Sequence, residues 1–239
     1  MVVRTRSAGG AERVSAAITE QHPRELAINE VIAGNDRASR RRLRRAIGLP
    51  DISSLLEFAR LLASPIFWTR RMPRGDGHSV LVVPGYGAGD LHYMALRGWL
   101  GRLGYTPLRS GMKANPGWTE QVIEDLGQRV ENGRKSSARK VTMIGHSLGG
   151  LQAHSVARRW PDFVRRVVAL GAPLKFAGGP LAPAVAIASI YTSSDLPFQP
   201  EARESHAENV QVRGSHNGLG VNPRVYRLLA DLLAKGGSE

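Results

Sequence analysis

The segment Val141-Thr142-Met143-Ile144 runs directly into Gly145-His146-Ser147-Leu148-Gly149. The first residues read as a buried strand, and residues 148–160 as a helix. Between them stands a G-x-S-x-G pattern at the strand-to-helix junction where its mechanics require it. A turn that sharp forces the central serine into a strained backbone conformation, and only small flanking residues avoid a clash. Ser147 Oγ would then stand exposed above the sheet as a nucleophile. The helix would point its first amides at the same spot. The alternative is an ordinary glycine-rich loop with an incidental serine, which the flanking strand and helix argue against.

The same alternation extends along the chain. Strands are predicted at 79–83, 106–108, 140–144, 164–170, 186–192 and 209–212, and helices at 91–103, 119–133, 148–160 and 224–234. This predicts the α/β class: a mostly parallel sheet of about six strands with helices on both faces. Ligands of such sheets bind outside the carboxyl ends of the strands. Pro73-Arg74-Gly75-Asp76-Gly77 is rich in turn residues and marks a boundary. Residues 1–75 are read as an arginine-rich helical N-terminal extension, and residues 76–239 as a minimal catalytic domain.

Within the extension, residues 1–23 are small and polar and are expected to be poorly ordered. Residues 24–47 have a mixed helical pattern. Asp51 is placed to cap an amphipathic helix carrying Ile52, Leu55, Leu56, Phe58, Ala59, Leu61 and Leu62 and ending near Ser64-Pro65. That helix either packs on the catalytic domain or lies on a membrane. Its thin, weakly basic polar face favours packing.

Charge is uneven only in its clustering. The net is +13. Residues 1–75 hold 14 arginines against 7 acids, and six of those arginines fall between Arg37 and Arg45. Such a block suits an anionic membrane surface, and the alternative is a solvated helical face. Nucleic acid is not an expected partner. With no cysteine, disulfides, thiolate catalysis and cysteine zinc sites are excluded. No run approaches the ~18 apolar residues of a membrane span, and no signal-peptide core is evident. A cytoplasmic enzyme, peripheral to the membrane at most, is the expectation.

A serine hydroxyl needs a base within hydrogen-bond reach. Of seven histidines, His146 and His154 flank the serine and cannot easily curl back. His78 precedes a strand at the wrong end. His22, His92 and His206 have ordinary contexts. His216 lies in Arg213-Gly214-Ser215-His216-Asn217-Gly218-Leu219-Gly220, between the last strand and the last helix, where a general base is expected. Asp195 follows the 186–192 strand and falls between serine and histidine in chain order, the order expected of an α/β sheet with this elbow. Asp162 is the rival, but it opens a strand and so sits at the far edge. The oxyanion needs two donors. The Leu148 amide is one, and the Tyr86 amide, in Pro84-Gly85-Tyr86-Gly87-Ala88-Gly89-Asp90, is the other. That loop lacks the full G-x-G-x-x-G spacing of a dinucleotide site. No cofactor or metal is implied.

At this point the chain is seen to resemble a family. Residues 78–238 look like a small α/β-hydrolase, close to bacterial lipases and esterases with a minimal fold. The shared marks are Val82-Val83-Pro84-Gly85-Tyr86-Gly87, Ile144 to Gly150, Leu170-Gly171-Ala172-Pro173, an aspartate after the penultimate strand, and Gly214-Ser215-His216-Asn217-Gly218-Leu219. The resemblance implies Ser147, Asp195 and His216 as triad, with Tyr86 and Leu148 as oxyanion donors. It departs from the family at Pro84-Gly85, where His-Gly is familiar. It departs again after Asp195, where Leu196-Pro197-Phe198-Gln199-Pro200 replaces a Gly-x-Val-Pro type. Only a short stretch separates Gly171 from Ala186, where larger relatives insert a cap. Its apolar residues suggest an open, greasy cleft or a cover for the sheet edge. The expected activity is serine carboxylic ester hydrolysis on lipid-like or medium-chain esters. Acyl transfer or thioester hydrolysis would use the same triad. A non-catalytic binding protein of this fold is the remaining alternative.

Overall fold

The computed structural model describes residues 52–69, 71–198, 201 and 206–235. The expectations for residues 1–51, including the Arg37–Arg45 block and the Asp51 cap, lie outside the described residues. Every described residue belongs to the second of the two units into which the chain divides, Arg44–Glu239.

Six strands form one sheet: β1 (Ser79–Val83), β2 (Thr106–Arg109), β3 (Val141–His146), β4 (Val164–Leu170), β5 (Ala186–Tyr191) and β6 (Glu208–Gln211). Their order is β2-β1-β3-β4-β5-β6, and every pairing is parallel. The central strands are mostly apolar and largely buried because helices cover both faces. All five residues of β1 and all six of β3 are buried. β3 runs further than the sequence pattern indicates, since Gly145 and His146 still pair with Ala169 and Leu170.

Among the described residues six helices accompany the sheet: α1 (Ile52–Ala63), α2 (Pro65–Trp68), α3 (Met94–Leu103), α4 (Glu120–Ser137), α5 (Leu148–Arg159) and α6 (Pro223–Ala234). Two of them begin with ordinary capping chemistry. Thr119 Oγ1 accepts the Val122 amide at the start of α4, Asn222 Oδ1 accepts the Arg224 amide at the start of α6, and Pro223 takes the first helical position. The predicted helix at 91–103 begins at Met94. The preceding turn of 3-10 helix, Asp90–Tyr93, forms because Asp90 is drawn away to bind Ser110 and Gly111.

One core layer joins α1, α2, α3 and α6. The Trp99 ring lies 4.7 Å from that of Tyr226, tilted by 57°, and its indole N–H donates to the Ile66 carbonyl at 3.1 Å. Leu61, Ile66 and Phe67 are buried in the same cluster. Arg102 secures α2 from outside, donating to the Phe67 carbonyl at 2.8 Å with its guanidinium over the Phe67 ring. Helix α1 is unusual in what it hides. Glu57 and Leu61 face inward, whereas Leu55, Leu56, Phe58 and Leu62 are exposed. Among the described residues no helix is long and apolar enough to cross a membrane.

Candidate active site

In a parallel sheet every strand points its carboxyl end the same way. The segments after β1, β3, β5 and β6 therefore meet at one edge, and they carry Tyr86, Ser147, Asp195 and His216. Asp162 is exposed and immediately precedes β4, at the opposite end. His78 is also at that far end. It is buried and bonded to Asp76 and to Thr142 Oγ1.

Ser147 has φ 52° and ψ −121°. A positive φ at a non-glycine residue costs roughly 1–3 kcal/mol, and the surroundings must enforce it. Here its N–H donates to the Leu170 carbonyl at 2.8 Å, and its carbonyl accepts the Gly150 amide at 2.9 Å. The glycines of the motif have separate jobs. A Cβ on Gly145 would strike the Gly149 carbonyl, and one on Gly149 would strike the carbonyls of Val83 and Pro84. One on Gly150 would lie 2.5 Å from the Ala172 methyl. The helix thus packs its backbone directly on β1 and on the turn after β4.

His216 and Asp195 meet. The His216 Nδ1–H donates to Asp195 Oδ1 at 2.6 Å. Asp195 Oδ2 accepts the Thr192 amide at 2.7 Å and the Thr192 hydroxyl at 3.0 Å. Burial pushes the Asp195 carboxyl up, but the His216 hydrogen bond and charge and the two Thr192 donors outweigh it and hold it below its ordinary value. With Asp195 ionised, the proton sits on Nδ1, and Nε2 is left as an acceptor. The stretch Leu170-Gly171 ties this pair to Ser147. Leu170 binds the Ser147 amide, and a Cβ on Gly171 would sit 2.9 Å from His216 Nδ1.

His146 is a further member that sequence reasoning dismissed. Its Nε2–H donates to the His216 carbonyl at 2.9 Å, and the two rings lie 4.9 Å apart. Burial and the neighbouring His216 charge push it down to about 3, so it stays neutral. It acts as a fixed donor beneath the His216 backbone.

The loop after β1 lies over the Ser147 turn. A Cβ on Gly85 would be 3.1 Å from His146 Nδ1 and 3.4 Å from Ser147 Cβ. The amide of Tyr86 follows directly. The amide of Leu148, at the first position of α5, has no acceptor within its own helix. Two buried amides anchor the loop. Asn115 Nδ2 donates to the Pro84 carbonyl and to Gln152 Oε1, both at 2.8 Å. Gln152 Nε2 donates to Asn115 Oδ1 and to the Gly117 carbonyl. Neither residue stood out in the sequence, because each is far in the chain from the loop it holds.

The segment between β4 and β5 turns several of its apolar residues inward. Leu174, Leu181 and Val185 are buried. Among the described residues no group of His, Asp or Glu is placed to hold a metal ion.

The comparisons with known proteins agree with this architecture. A family model described as the alpha/beta hydrolase fold matches residues 114–205. A soluble variant of monoglyceride lipase from Saccharomyces cerevisiae, solved with a substrate analogue, is similar at TM-score 0.55 and 13% identity, over 72% of this chain and 90% of that one. A putative hydrolase of the alpha/beta superfamily from Xanthomonas campestris pv. campestris is similar at TM-score 0.52 and 23% identity, over 66% and 98%. The monoacylglycerol lipase of Paleococcus ferrophilus is similar at TM-score 0.50 and 14% identity, over 67% and 96%. No curated protein sequence matches. The chain has the alpha/beta hydrolase fold.

Proposed function

We propose that this chain is a serine carboxylic ester hydrolase acting on lipid-like or medium-chain esters. Ser147 is the nucleophile, His216 the base, Asp195 the acid that orients it, and the Tyr86 and Leu148 amides the oxyanion donors. The observation that carries the reading is the 2.6 Å His216–Asp195 hydrogen bond at the sheet edge where Ser147 is held at φ 52°. The fold and the lipases that share it support a hydrolase.

The chemistry follows from that arrangement. His216 Nε2 takes the Ser147 proton as Oγ attacks the ester carbonyl carbon, and Asp195 stabilises the imidazolium. The carbonyl oxygen becomes an oxyanion between the two amides. Collapse expels the alcohol, which takes the proton back from His216, and leaves an acyl-enzyme. Water, activated by His216 in its turn, releases the acid. The apolar side chains exposed on the loop after β1 and at the start of α3, Tyr86, Leu91 and Met94, suit an acyl chain.

Labelling with a fluorophosphonate tests the reading, since only an activated serine reacts. A p-nitrophenyl ester panel from short to long acyl chains then tests the substrate class. Adduct on Ser147 and turnover rising to medium chains are expected. An unlabelled Ser147 with no turnover on any ester would overturn it. Turnover that requires an alcohol acceptor would convert it to acyl transfer.

A further inference from the structure

Helix α1 precedes the turn-rich stretch at Gly75, yet it places a carboxylate inside the loop that carries His216. Glu57 is only 6% exposed. Its Oε1 accepts the Ser215 amide at 2.7 Å, and its Oε2 accepts from Asn222 Nδ2 at 3.2 Å. Asn222 Nδ2 also donates to the Arg213 carbonyl at 2.9 Å, so the two ends of the loop close around one carboxylate. The Ser215 hydroxyl then accepts the Gly218 amide at 3.0 Å.

The loop's glycines are matched to this guest. Gly214 has φ 149°, and a Cβ there would lie 2.6 Å from Asn222 Nδ2 and 3.0 Å from Glu57 Oε2. A Cβ on Gly218 would strike the Glu57 carboxylate itself. A buried carboxylate is costly unless its oxygens are bonded. Glu57 is bonded on both, to groups immediately before His216 and at the start of α6. A serine, threonine or glutamine would reach less far or supply a weaker acceptor.

We infer that Glu57 is a positioning residue for catalysis: it clamps the 213–222 loop and thereby holds His216 in register with Asp195 and Ser147. This rests on the reading of His216 as the base. The loop that carries His216 is therefore completed by a segment that lies before the turn-rich stretch at Gly75 in sequence, and the rate depends on that segment without its touching substrate. A misplacement of about 1 Å in a reacting group can cost on the order of 100-fold in rate.

The full chain with a soluble p-nitrophenyl ester tests this. Glu57→Ala is expected to lower kcat by about 10- to 100-fold with KM within about twofold, while Arg60→Ala, on the exposed face of the same helix, leaves both unchanged. Proton NMR supplies a readout independent of turnover. The low-field His216 Nδ1–H resonance should be sharp in the parent and broadened or lost in Glu57→Ala. If Glu57→Ala fails to fold, Gly218→Ala serves instead, because its methyl displaces the carboxylate. That substitution should reduce kcat in the parent and cost little further when combined with Glu57→Gln. Unchanged kcat and an unchanged His216 resonance in Glu57→Ala or Gly218→Ala, with only a lower Tm, would overturn the proposal and leave Glu57 a purely structural acid. A parent that neither hydrolyses esters nor labels at Ser147 would instead overturn the reading of the site, and the resonance would still report whether the clamp holds the loop.

Discussion

The turn at Ser147 and the loop at His216 stand on the same sheet edge and are fixed by different means. The turn is held by backbone. Its glycines let α5 sit on β1 without side chains between, and its two backbone hydrogen bonds go to Leu170 and Gly150. The loop is held by side chains. Its fastenings come from Glu57, more than 150 positions earlier, from Asn222, and from His146 below. Backbone packing against neighbouring strands fixes a strained residue, and side chains from other elements fix a half-exposed ring. The two should therefore fail differently, and they can be set against each other experimentally.

The largest effect is expected from removing the outside support altogether. A chain beginning at Gly75 loses Glu57 together with Leu61, Ile66 and Phe67 of the core. Each large apolar side chain lost from a core costs about 2–5 kcal/mol. Such a chain is expected to be insoluble or to unfold cooperatively at a much lower Tm, read by circular dichroism. A soluble fragment with parental activity would show that the N-terminal helices are dispensable.

Ser147→Ala comes next. It should reduce ester turnover by several orders of magnitude, as loss of a triad nucleophile does. It should also leave Tm unchanged or higher, because the side chain it removes is not packed in the core. Parental turnover in this variant would refute the assignment. Asp195→Asn should lower kcat by up to about 10⁴-fold with KM little changed, while Asp162→Asn is silent. The reverse pattern would move the acid to the other edge of the sheet.

A smaller effect concerns acid. His146 is kept neutral in the folded protein, pushed down to about 3. Once unfolded, it protonates near 6.5. Its contribution to stability is thus fully present above pH 6.5 and is lost as pH falls from there toward 3. His146→Gln, which can still donate to the His216 carbonyl, should flatten the decline of Tm between pH 6.5 and 4. An unchanged slope would assign the acid sensitivity elsewhere.

The smallest effect tests the outer face of α1. If Leu55, Leu56, Phe58 and Leu62 meet an anionic lipid surface alongside the Arg37–Arg45 block, full-length protein should bind anionic vesicles at low salt and release them near 0.15 M salt. Leu56→Ser with Leu62→Ser should weaken that binding without altering hydrolysis of a soluble ester. Equal binding to neutral vesicles would remove charge from the explanation.

How far the sequence could be read follows the same division. The elbow and the strands were legible because each is written in a few adjacent residues: apolar runs and glycines. That His216 and Asp195 would meet was legible because each lies just past a predicted strand. What escaped is the holding apparatus. Glu57 looked like one polar residue on an amphipathic helix, and α1 was expected to bury its apolar stripe. Instead it buries Glu57 and Leu61 and leaves much of the stripe exposed. Asn115 and Gln152 carried no periodic or motif signal. His146 was set aside because its ring cannot reach Ser147 as a base, although it reaches the backbone of His216. Partners joined only by folding leave no local trace.

The amide pair beneath the loop after β1 also bears on how the protein ages. Asn115 is 1% exposed and is followed by Pro116, whose nitrogen carries no hydrogen. The usual route by which an asparagine hydrolyses to aspartate begins when the next backbone nitrogen closes on the side chain, and here that nitrogen is blocked. The change would be damaging, since it would replace an amide donor facing the Pro84 carbonyl and Gln152 Oε1 with an acceptor. The residue that fixes the loop over Ser147 is thus chemically durable as well as well bonded, so the site should keep its shape through long storage even while exposed asparagines elsewhere slowly convert.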